Sequence, residues 1–461
     1  MQYQFRISGF VHQIVYSHLM PGDGKEAVGI ILCGQHYSEG KCILLAKEFH
    51  PISHDHCERG GDYVHWKTEL IIHLLEKASK ENLSILKIHS HPGWYDKFSW
   101  VDDESDSKLF PCVYGWMDSD QPHGSCVMLP DGEIFGRVVS VDAEYVSFSR
   151  ILLAGHEIKI WPRILRDDKI VNNEVSLRNR QTLGDGTAAL LKSMRIGVVG
   201  ASGTGSPVIE QLSRLGVGEL VLCDPDIVEL KNLNRILNTT LDHAKKKQKK
   251  VEVIAEAIKK MGLDLNVIIH SENLYNSKEA LNDLAGCDAV FGCMDSIDGR
   301  HLLNQLATFY IIPYFDLGIK IEADGQGGIE QINGVIHYLQ PSGSSLLSRG
   351  SYSLKTLEAA GLKRRNPQEF ERRLKEKYIV NLPVDRPAVI SINMQVASTA
   401  INEFLDRIHR YKNTEPCDRA AIWILITEGT HFCEGDGQPD LYLQNRAGRG
   451  DMVPFLEMPE L

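Results

Sequence analysis

Two imidazoles one residue apart offer the first chemistry in this chain. His89-Ser90-His91-Pro92 closes the apolar run LSILKI. On a strand, residues i and i+2 face the same side, so both rings can converge on one metal ion. Beyond the Pro92 to Phe98 stretch stand Ser99 and Asp102. An aspartate there supplies a third ligand and leaves the fourth position of a tetrahedral zinc for water, the open arrangement of a catalytic site. Such an ion draws the pKa of its water toward about 7. A carboxylate must then take the proton and pass it to a leaving amine. Glu26, heading EAVGIILCG, is the candidate. Each piece alone has a plainer reading. H-x-H recurs without function, Ser99-Trp-Val-Asp102 is a helix-start capping pattern, and Glu26 is a charge beside the turn Pro21 to Gly24. His54, His56 and Cys57 read as an ordinary polar loop.

A second group of residues suits phosphate chemistry. Gly200-Ala-Ser-Gly203-Thr-Gly205 follows the hydrophobic run MRIGVV and precedes the amphipathic PVIEQLSRLG. Glycines there allow a tight turn and close backbone approach, and a helix N-terminus favours an anion. Asp224 follows the next strand at the distance where a ribose hydroxyl binds. Up to this point a dehydrogenase fits equally well. Further residues break the tie: Asp224-Pro-Asp226, Asn232-Leu-Asn234-Arg235, Cys293-Met-Asp295-Ser-Ile-Asp298 after a later strand, and Arg178-Asn179-Arg180-Gln181 upstream. Hydride transfer needs none of them. An adenylating enzyme uses cations for a triphosphate and a carboxylate for Mg²⁺.

The elements that must hold these groups can be read from the periodicity. Residues 1–150 alternate strands (AVGIILCG, KCILLAKEF, LSILKIHSHP, CVMLP, EIFGRVVSV) with a helix from Trp66 to Lys80 and another starting after Ser99. Residues 151–175 read as a connector of mixed charge. Over 176–410, strands and helices alternate as in a parallel, doubly wound α/β sheet. The strands MRIGVV, ELVLCDPD and NVIIH lie there, with a helix from Lys249 to Met261. Residues 411–461 read as a tail with short strands, AIWILITEG the best of them. A length of 461 residues predicts two to three domains. The net charge of -11 argues against a nucleic-acid partner. No apolar stretch reaches membrane-spanning length, and the N-terminus lacks a signal-peptide pattern, so the expected location is cytoplasmic. The ten cysteines lie scattered with no C-x-x-C pair, so neither a disulfide framework, in a chain of this size without a signal peptide, nor a structural four-cysteine zinc site is expected. Cys33, Cys42, Cys223 and Cys293 sit in apolar runs and read as core.

Taken together, Glu26, His89-Ser90-His91-Pro92 and Ser99-x-x-Asp102 resemble the JAMM (MPN-domain) metallopeptidases. The resemblance implies an α/β/α fold over about the first 140 residues, with zinc on His89, His91 and Asp102. It gives Glu26 the role of general acid/base and makes Ser99 a donor to the tetrahedral oxyanion. The reaction implied is hydrolysis of a peptide or isopeptide bond after the C-terminal glycine of a ubiquitin-like protein. The second group resembles the adenylation domain of ubiquitin-activating enzymes and of the bacterial adenylyltransferases of molybdopterin and thiamine synthesis, a Rossmann-like fold. By position, that resemblance puts ATP on the loop of Gly200, Gly203 and Gly205, with Asp224 on the ribose beside Asp226. It puts Asn232 and Arg235 on the phosphates and Asp295 on Mg²⁺. It also assigns a lysine before a helix starting Val-Glu, which Lys250 fits, with Lys247 and Lys249 as alternatives. Arg180 in such proteins reaches the ATP of the other subunit, implying a homodimer. The helix around residues 387–408 resembles their dimer-contacting helix.

The chain also departs from the adenylating pattern. No cysteine lies between Met294 and Pro416, which excludes a thioester at the usual crossover position and leaves Cys417 and Cys433 as downstream candidates. Ile236 stands where a Gln often follows the arginine, and Ser202 replaces a loop glycine. The expected protein is a bifunctional enzyme of a bacterial-type ubiquitin-like or sulfur-carrier pathway. It would trim or deconjugate a modifier and adenylate its C-terminal Gly, with a conjugating enzyme as a further candidate partner. A peptidase carrying a non-catalytic scaffold, and a peptide- or small-molecule-adenylating enzyme, are the alternatives.

Overall fold

The computed structural model describes residues 1–118, 120–162, 174–323, 326, 328–375 and 388–458. The chain divides into two compact units. The first holds Met1–Arg163, Thr308–Ile311 and Tyr442–Glu460, and the second holds Ile164–Ala307 and Ile312–Leu441.

The first unit is built on a mixed nine-stranded sheet in the order Ile158–Trp161, Arg150–Ala154, Gln2–Ser8, Lys41–Pro51, Val28–Ser38, Ser84–Ser90, His123–Met128, Ile134–Val139, Tyr145–Ser147. Ser84–Ser90 runs through its middle with every residue buried, which explains why LSILKI reads as a continuous apolar run rather than an alternating one. One face carries the helices Ile72–Glu81 and Trp100–Met117. Leu74, Leu75, Ala78, Leu109, Phe110 and Val113 of these helices pack on Val28, Ile30, Leu32 and Ile85 of the sheet. The segment from Trp66 differs from the expected single helix. Trp66 ends a short strand, Val64–Trp66, which pairs with Cys57–Arg59, and a 3₁₀ turn, Thr68–Ile71, precedes the helix. Apolar spacing alone does not separate these short pieces from a helical turn.

In the region expected to be a connector, Arg150–Ala154 pairs in parallel with Gln2–Ser8, and Ile158–Trp161 closes that edge antiparallel. Their short apolar runs lie amid charges, which masked the strand pattern. The end of the chain also returns to the first unit. Asp451 accepts hydrogen bonds from His36 Nδ1 at 2.9 Å, the Tyr37 amide at 2.9 Å and the Tyr310 hydroxyl at 2.9 Å.

The second unit has an eight-stranded sheet in the order Asn266–His270, Glu219–Cys223, Arg195–Val199, Ala289–Gly292, Tyr314–Ala323, Ile329–Leu339, Ala421–Leu425, Thr430–Glu434. The first five strands are parallel and the last three antiparallel. This is a Rossmann-like α/β sheet whose order reverses on either side of Arg195–Val199. In such sheets ligands bind beyond the carboxyl ends of the strands at that reversal. The helix Ile390–Ile408 buries Val396, Ala397, Ala400, Ile401 and Phe404. Part of the expected tail, Ala421–Leu425 and Thr430–Glu434, extends this sheet. No helix among the described residues is long and apolar enough to cross a membrane.

Candidate functional sites

In the first unit, sheet register brings the expected residues together. Val28 stands opposite His89 in the antiparallel pairing of their strands. Glu26 lies two residues before Val28 and His91 two after His89, so antiparallel geometry carries both past the strand ends to the same place. His91 Nε2 is 3.9 Å from Glu26 Oε1. His89 Nε2 lies 2.8 Å from Asp102 Oδ1 and 3.1 Å from His91 Nε2, which is itself 3.4 Å from Asp102 Oδ2. His91 Nδ1 donates to the Tyr95 carbonyl at 2.7 Å, and that bond orients the ring with Nε2 toward His89 and Asp102.

Asp102 occupies the third position of helix Trp100–Met117, and Ser99 is its N-cap. Both halves of the capping box form: Ser99 Oγ accepts from the Asp102 amide at 3.2 Å, and Asp102 Oδ2 accepts from the Ser99 amide at 2.6 Å. The Ser99 hydroxyl also donates to Asp102 Oδ2 at 2.7 Å. The capping reading and the ligand reading thus fall on the same carboxylate, and the Ser99 hydroxyl is engaged with it.

One donor atom from each of His89, His91 and Asp102 lies within 4.8 Å of the others, and all three residues are buried. Two imidazole nitrogens and a carboxylate oxygen match the donor preference of zinc. Burial works to lower His91, but its hydrogen bonds to Asp102 and the Tyr95 carbonyl outweigh it and raise its pKa. Burial works to raise Asp102, but hydrogen bonds from His89 and His91 outweigh it and hold the carboxyl well below the usual range. Burial keeps His89 low despite its contact with Asp102. Burial also pushes Glu26 up to about 7, against the pull of His91. A cavity of about 700 Å³ opens onto Glu26, His89 and Asp102 and continues along Trp66, Val101 and Trp116. His54, His56 and Cys57 form a 3₁₀ turn and the start of a strand. Among the described residues they belong to no metal-type group of three or more.

In the second unit the buried strand Arg195–Val199 ends at Gly200, whose φ of 95° suits glycine. A Cβ on Gly205, the first residue of the following helix, would stand 1.7 Å from the Gly200 carbonyl oxygen. Gly200 and Gly203 line a cavity of about 970 Å³, together with Asp224, Asn232, Arg235, Lys250 and Asp295.

Most polar groups in this cavity have a protein partner holding them. Asp224 accepts from the Ala201 amide at 2.7 Å and the Asp226 amide at 2.9 Å, while burial, opposed by Lys250, raises its pKa. Lys250 Nζ sits 2.7 Å from Asp226 Oδ2 and 3.7 Å from Asp224 Oδ1. Of the alternatives to Lys250, Lys249 donates to the Pro225 carbonyl at 2.6 Å, and Lys247 is a left-handed helix cap. Asn232 Oδ1 accepts from the Glu229 amide at 2.9 Å. Arg235 donates to the Lys231 carbonyl at 2.8 Å. Arg180 pairs with Asp185 at 2.8 Å and is not among the described residues lining the cavity.

Several lining residues lay outside the motifs. Arg300 donates to Asp316 at 2.9 and 3.2 Å. Arg364 pairs with Asp298 at 3.1 Å and lies 3.4 Å over the Tyr275 ring. Asn393 Nδ2 donates to Thr204 Oγ1 at 2.9 Å. A signal existed for two of them: Arg300 follows Asp295 closely, and Asn393 is a polar residue in a buried helix. Cys293, read as core, is half-buried and lines the cavity, its thiol pushed up by burial.

Comparison with known proteins adds an independent line. The ThiF family matches residues 176–428, more than half of the chain. The SAMP-activating enzyme E1 of Haloferax volcanii is 36% identical over 130 residues, covering 28% of this chain and 46% of that protein. Ubiquitin-like modifier-activating enzyme 5 of Drosophila persimilis is 28% identical over 162 residues, covering 33% and 39%. The chain therefore spans less than half the length of these curated relatives. Among solved structures, E. coli MccB with MccA-N7isoASN is 18% identical, with a TM-score of 0.45 over 60% of this chain and 76% of that one.

Proposed function

The chain belongs to the ThiF family, and on that premise we propose that its second unit adenylates the C-terminal glycine of a ubiquitin-like or sulfur-carrier protein with ATP and Mg²⁺, while its first unit is a zinc-dependent JAMM-type (iso)peptidase that trims or deconjugates the same modifier. The observation that carries the first half is the cavity at the sheet reversal, where Arg235, Lys250 and Asp295 surround the glycine loop. The loop and the start of helix Gly205–Leu215 present backbone amides to phosphate. Asp224 would receive the ribose, Asn232 and Arg235 the phosphates, and Asp295 the Mg²⁺. A carboxylate oxygen of the terminal glycine bonds to the α-phosphorus, the bond to the β-phosphate oxygen breaks, and pyrophosphate leaves. Arg180 would act on the nucleotide of a second copy, so the reading includes a homodimer.

The peptidase half rests on the convergence of His89, His91 and Asp102 beside Glu26. These residues would hold zinc, which supplies a Lewis acid and an acidified water when bound. His91 is oriented for this by the Tyr95 carbonyl, and Asp102 by its own capping box. Glu26, whose carboxyl lies 3.9 Å from His91 Nε2, would take up a proton and return it to the leaving nitrogen. The adjoining cavity of about 700 Å³ would receive the peptide leading to the scissile bond.

The absence of a cysteine between Met294 and Pro416 favours a second reading for the adenylation half. In it the activated carboxyl passes directly to a small nucleophile, as in peptide adenylation, without a thioester. One experiment tests both halves. The full chain is incubated with ATP, Mg²⁺ and glycine-ending ubiquitin-like proteins carrying a short C-terminal extension, and the products are read by mass spectrometry. Trimming lost in Glu26→Ala and adenylate lost in Asp295→Ala are the expected results. No pyrophosphate exchange with partners already ending at the glycine overturns the adenylation reading, and an untouched extension overturns the peptidase reading.

A further inference from the structure

A buried ionic bracket ties the helix bearing Asp102 to the strand bearing His89. Strand register sets it up. Lys87 stands opposite Ser125, and Ser125 opposite Arg137, so the two cations lie on one row across three strands. His89 and Phe135 stand on the adjoining row through Val127, two residues along each strand and so on the same face. Both cations reach Asp106, which is fully buried one helical turn beyond Asp102. Lys87 pairs with Asp106 Oδ1. Arg137 holds Asp106 Oδ2 from Nη2 at 2.7 Å and from Nε at 3.2 Å. Its remaining arm, Nη1, takes Asp103 at 2.6 Å.

The flat faces of the same guanidinium are also occupied. Phe98 and Tyr145 each lie 3.8 Å from it. Phe98 immediately precedes the N-cap Ser99 and packs edge-on against Phe135, whose ring also meets His91. The Tyr145 hydroxyl donates to the Asp103 carbonyl at 2.9 Å. One arginine thus grips the residue before the N-cap and two carboxylates in the first two turns, all around Asp102.

Resting on the zinc-centre reading of the first site, we infer that Arg137 is a positioning residue of that site: by fixing the start of helix Trp100–Met117 against the sheet, it sets where the Asp102 carboxylate stands relative to His89 and His91. Partners behind metal ligands commonly change metal affinity by about 10–100-fold. Arg137 does this through the helix that carries the ligand. A lysine keeps the charge but loses the fork and the stacked plane, so it cannot hold Asp103, Asp106, Phe98 and Tyr145 together.

The test uses the full chain and two readouts, zinc affinity by competition with a chromophoric chelator and thermal unfolding of the zinc-free protein. Arg137→Met is expected to weaken zinc at least about 10-fold, with Arg137→Lys recovering only part of the loss. Asp103→Asn, which leaves the Asp106 pairs intact, is expected to fall between wild type and Arg137→Met, and it carries the test if Arg137→Met does not fold. A lower melting temperature with zinc affinity within about twofold of wild type, in whichever variant folds, overturns the positioning role and leaves Arg137 as structural support. A wild-type chain that takes up no zinc overturns the zinc-centre reading itself, and the inference with it.

Discussion

The two sites solve the problem of holding charge in opposite ways. In the first unit, three donors from one strand end and one helix start meet in a buried cluster, and they satisfy one another. In the second, cations and carboxylates are spread over a cavity of about 970 Å³, and several are parked on nearby protein groups: Lys250 on Asp226, Arg300 on Asp316, Arg364 on Asp298. A metal-type site needs donors within a few ångströms of one point, so few residues and short spacings suffice. A triphosphate and a polypeptide terminus together are long, and their contacts must come from many loops. A compact ligand therefore permits a compact motif, whereas an extended one scatters its contacts along the chain.

Breaking each site separately is the strongest test of that contrast. Glu26→Gln is expected to lower peptidase turnover by about 10²–10⁴-fold while pyrophosphate exchange stays unchanged. Asp295→Ala should do the reverse, by about 10²–10³-fold. Steady-state assays of both reactions on each variant check this, and a variant that lowers both equally would mean the sites do not act separately. Next in size, Gly205→Ala forces a methyl to within 1.7 Å of the Gly200 oxygen. Overpacking of this kind costs about 1–3 kcal/mol; taken from the shape of the loop, that is a loss of about 5- to 150-fold in apparent ATP affinity, as read by a nucleotide-dependent thermal shift.

A smaller effect compares the units through one buried histidine each. Burial lowers His123 to about 4 and His337 to about 4. His123 must stay neutral because its Nδ1 accepts from the Ile85 amide at 2.9 Å. Both folded-state values lie below the ordinary value of 6.5, so the unfolded chain binds more protons in between. The stability is therefore full above about pH 6.5 and is lost as pH falls toward about 4, by up to about 3 kcal/mol per histidine. Calorimetry from about pH 7 to about pH 4 on wild type, His123→Gln and His337→Gln should show one protonation-linked loss removed in each variant. Unchanged pH slopes would refute the assignment. Smallest, Asp451→Ala should cost about 2 kcal/mol in unfolding of the first unit, through its bonds from His36, Tyr37 and Tyr310. Urea unfolding followed by tyrosine fluorescence would measure it.

Legibility from sequence followed the same divide. The strand carrying His89, the Ser99-x-x-Asp102 helix start and the Gly200 turn are local, because period, cap and glycine each leave a mark within a few residues. Arg364 left none, and the mark at Asn393 was too faint to single it out. They reach the cavity only because helices far along the chain fold over it, and their own neighbours read as a basic helix end and an ordinary apolar helix. The strands Arg150–Ala154 and Ile158–Trp161 escaped for a related reason. Both lie toward one edge of the sheet, and the partner of the first, Gln2–Ser8, lies at the other end of the unit's sequence. Pairing over such separations has no local signature.

The return of Tyr442–Glu460 to the first unit has a consequence for how the molecule is made. A chain emerging from the ribosome exposes the residues around Glu26, His89 and Asp102 early, yet the Tyr442–Glu460 segment of their unit is translated only after the whole eight-stranded sheet. The Gly34 backbone waits for Gly448, the carbonyl at Gln35 waits for the amide of Asp451, and His36 waits for its side chain. Of the two units, the one whose strands are made earlier therefore closes later, and a ribosome stalled before Tyr442 would display it without the segment that bonds to Gln35 and His36.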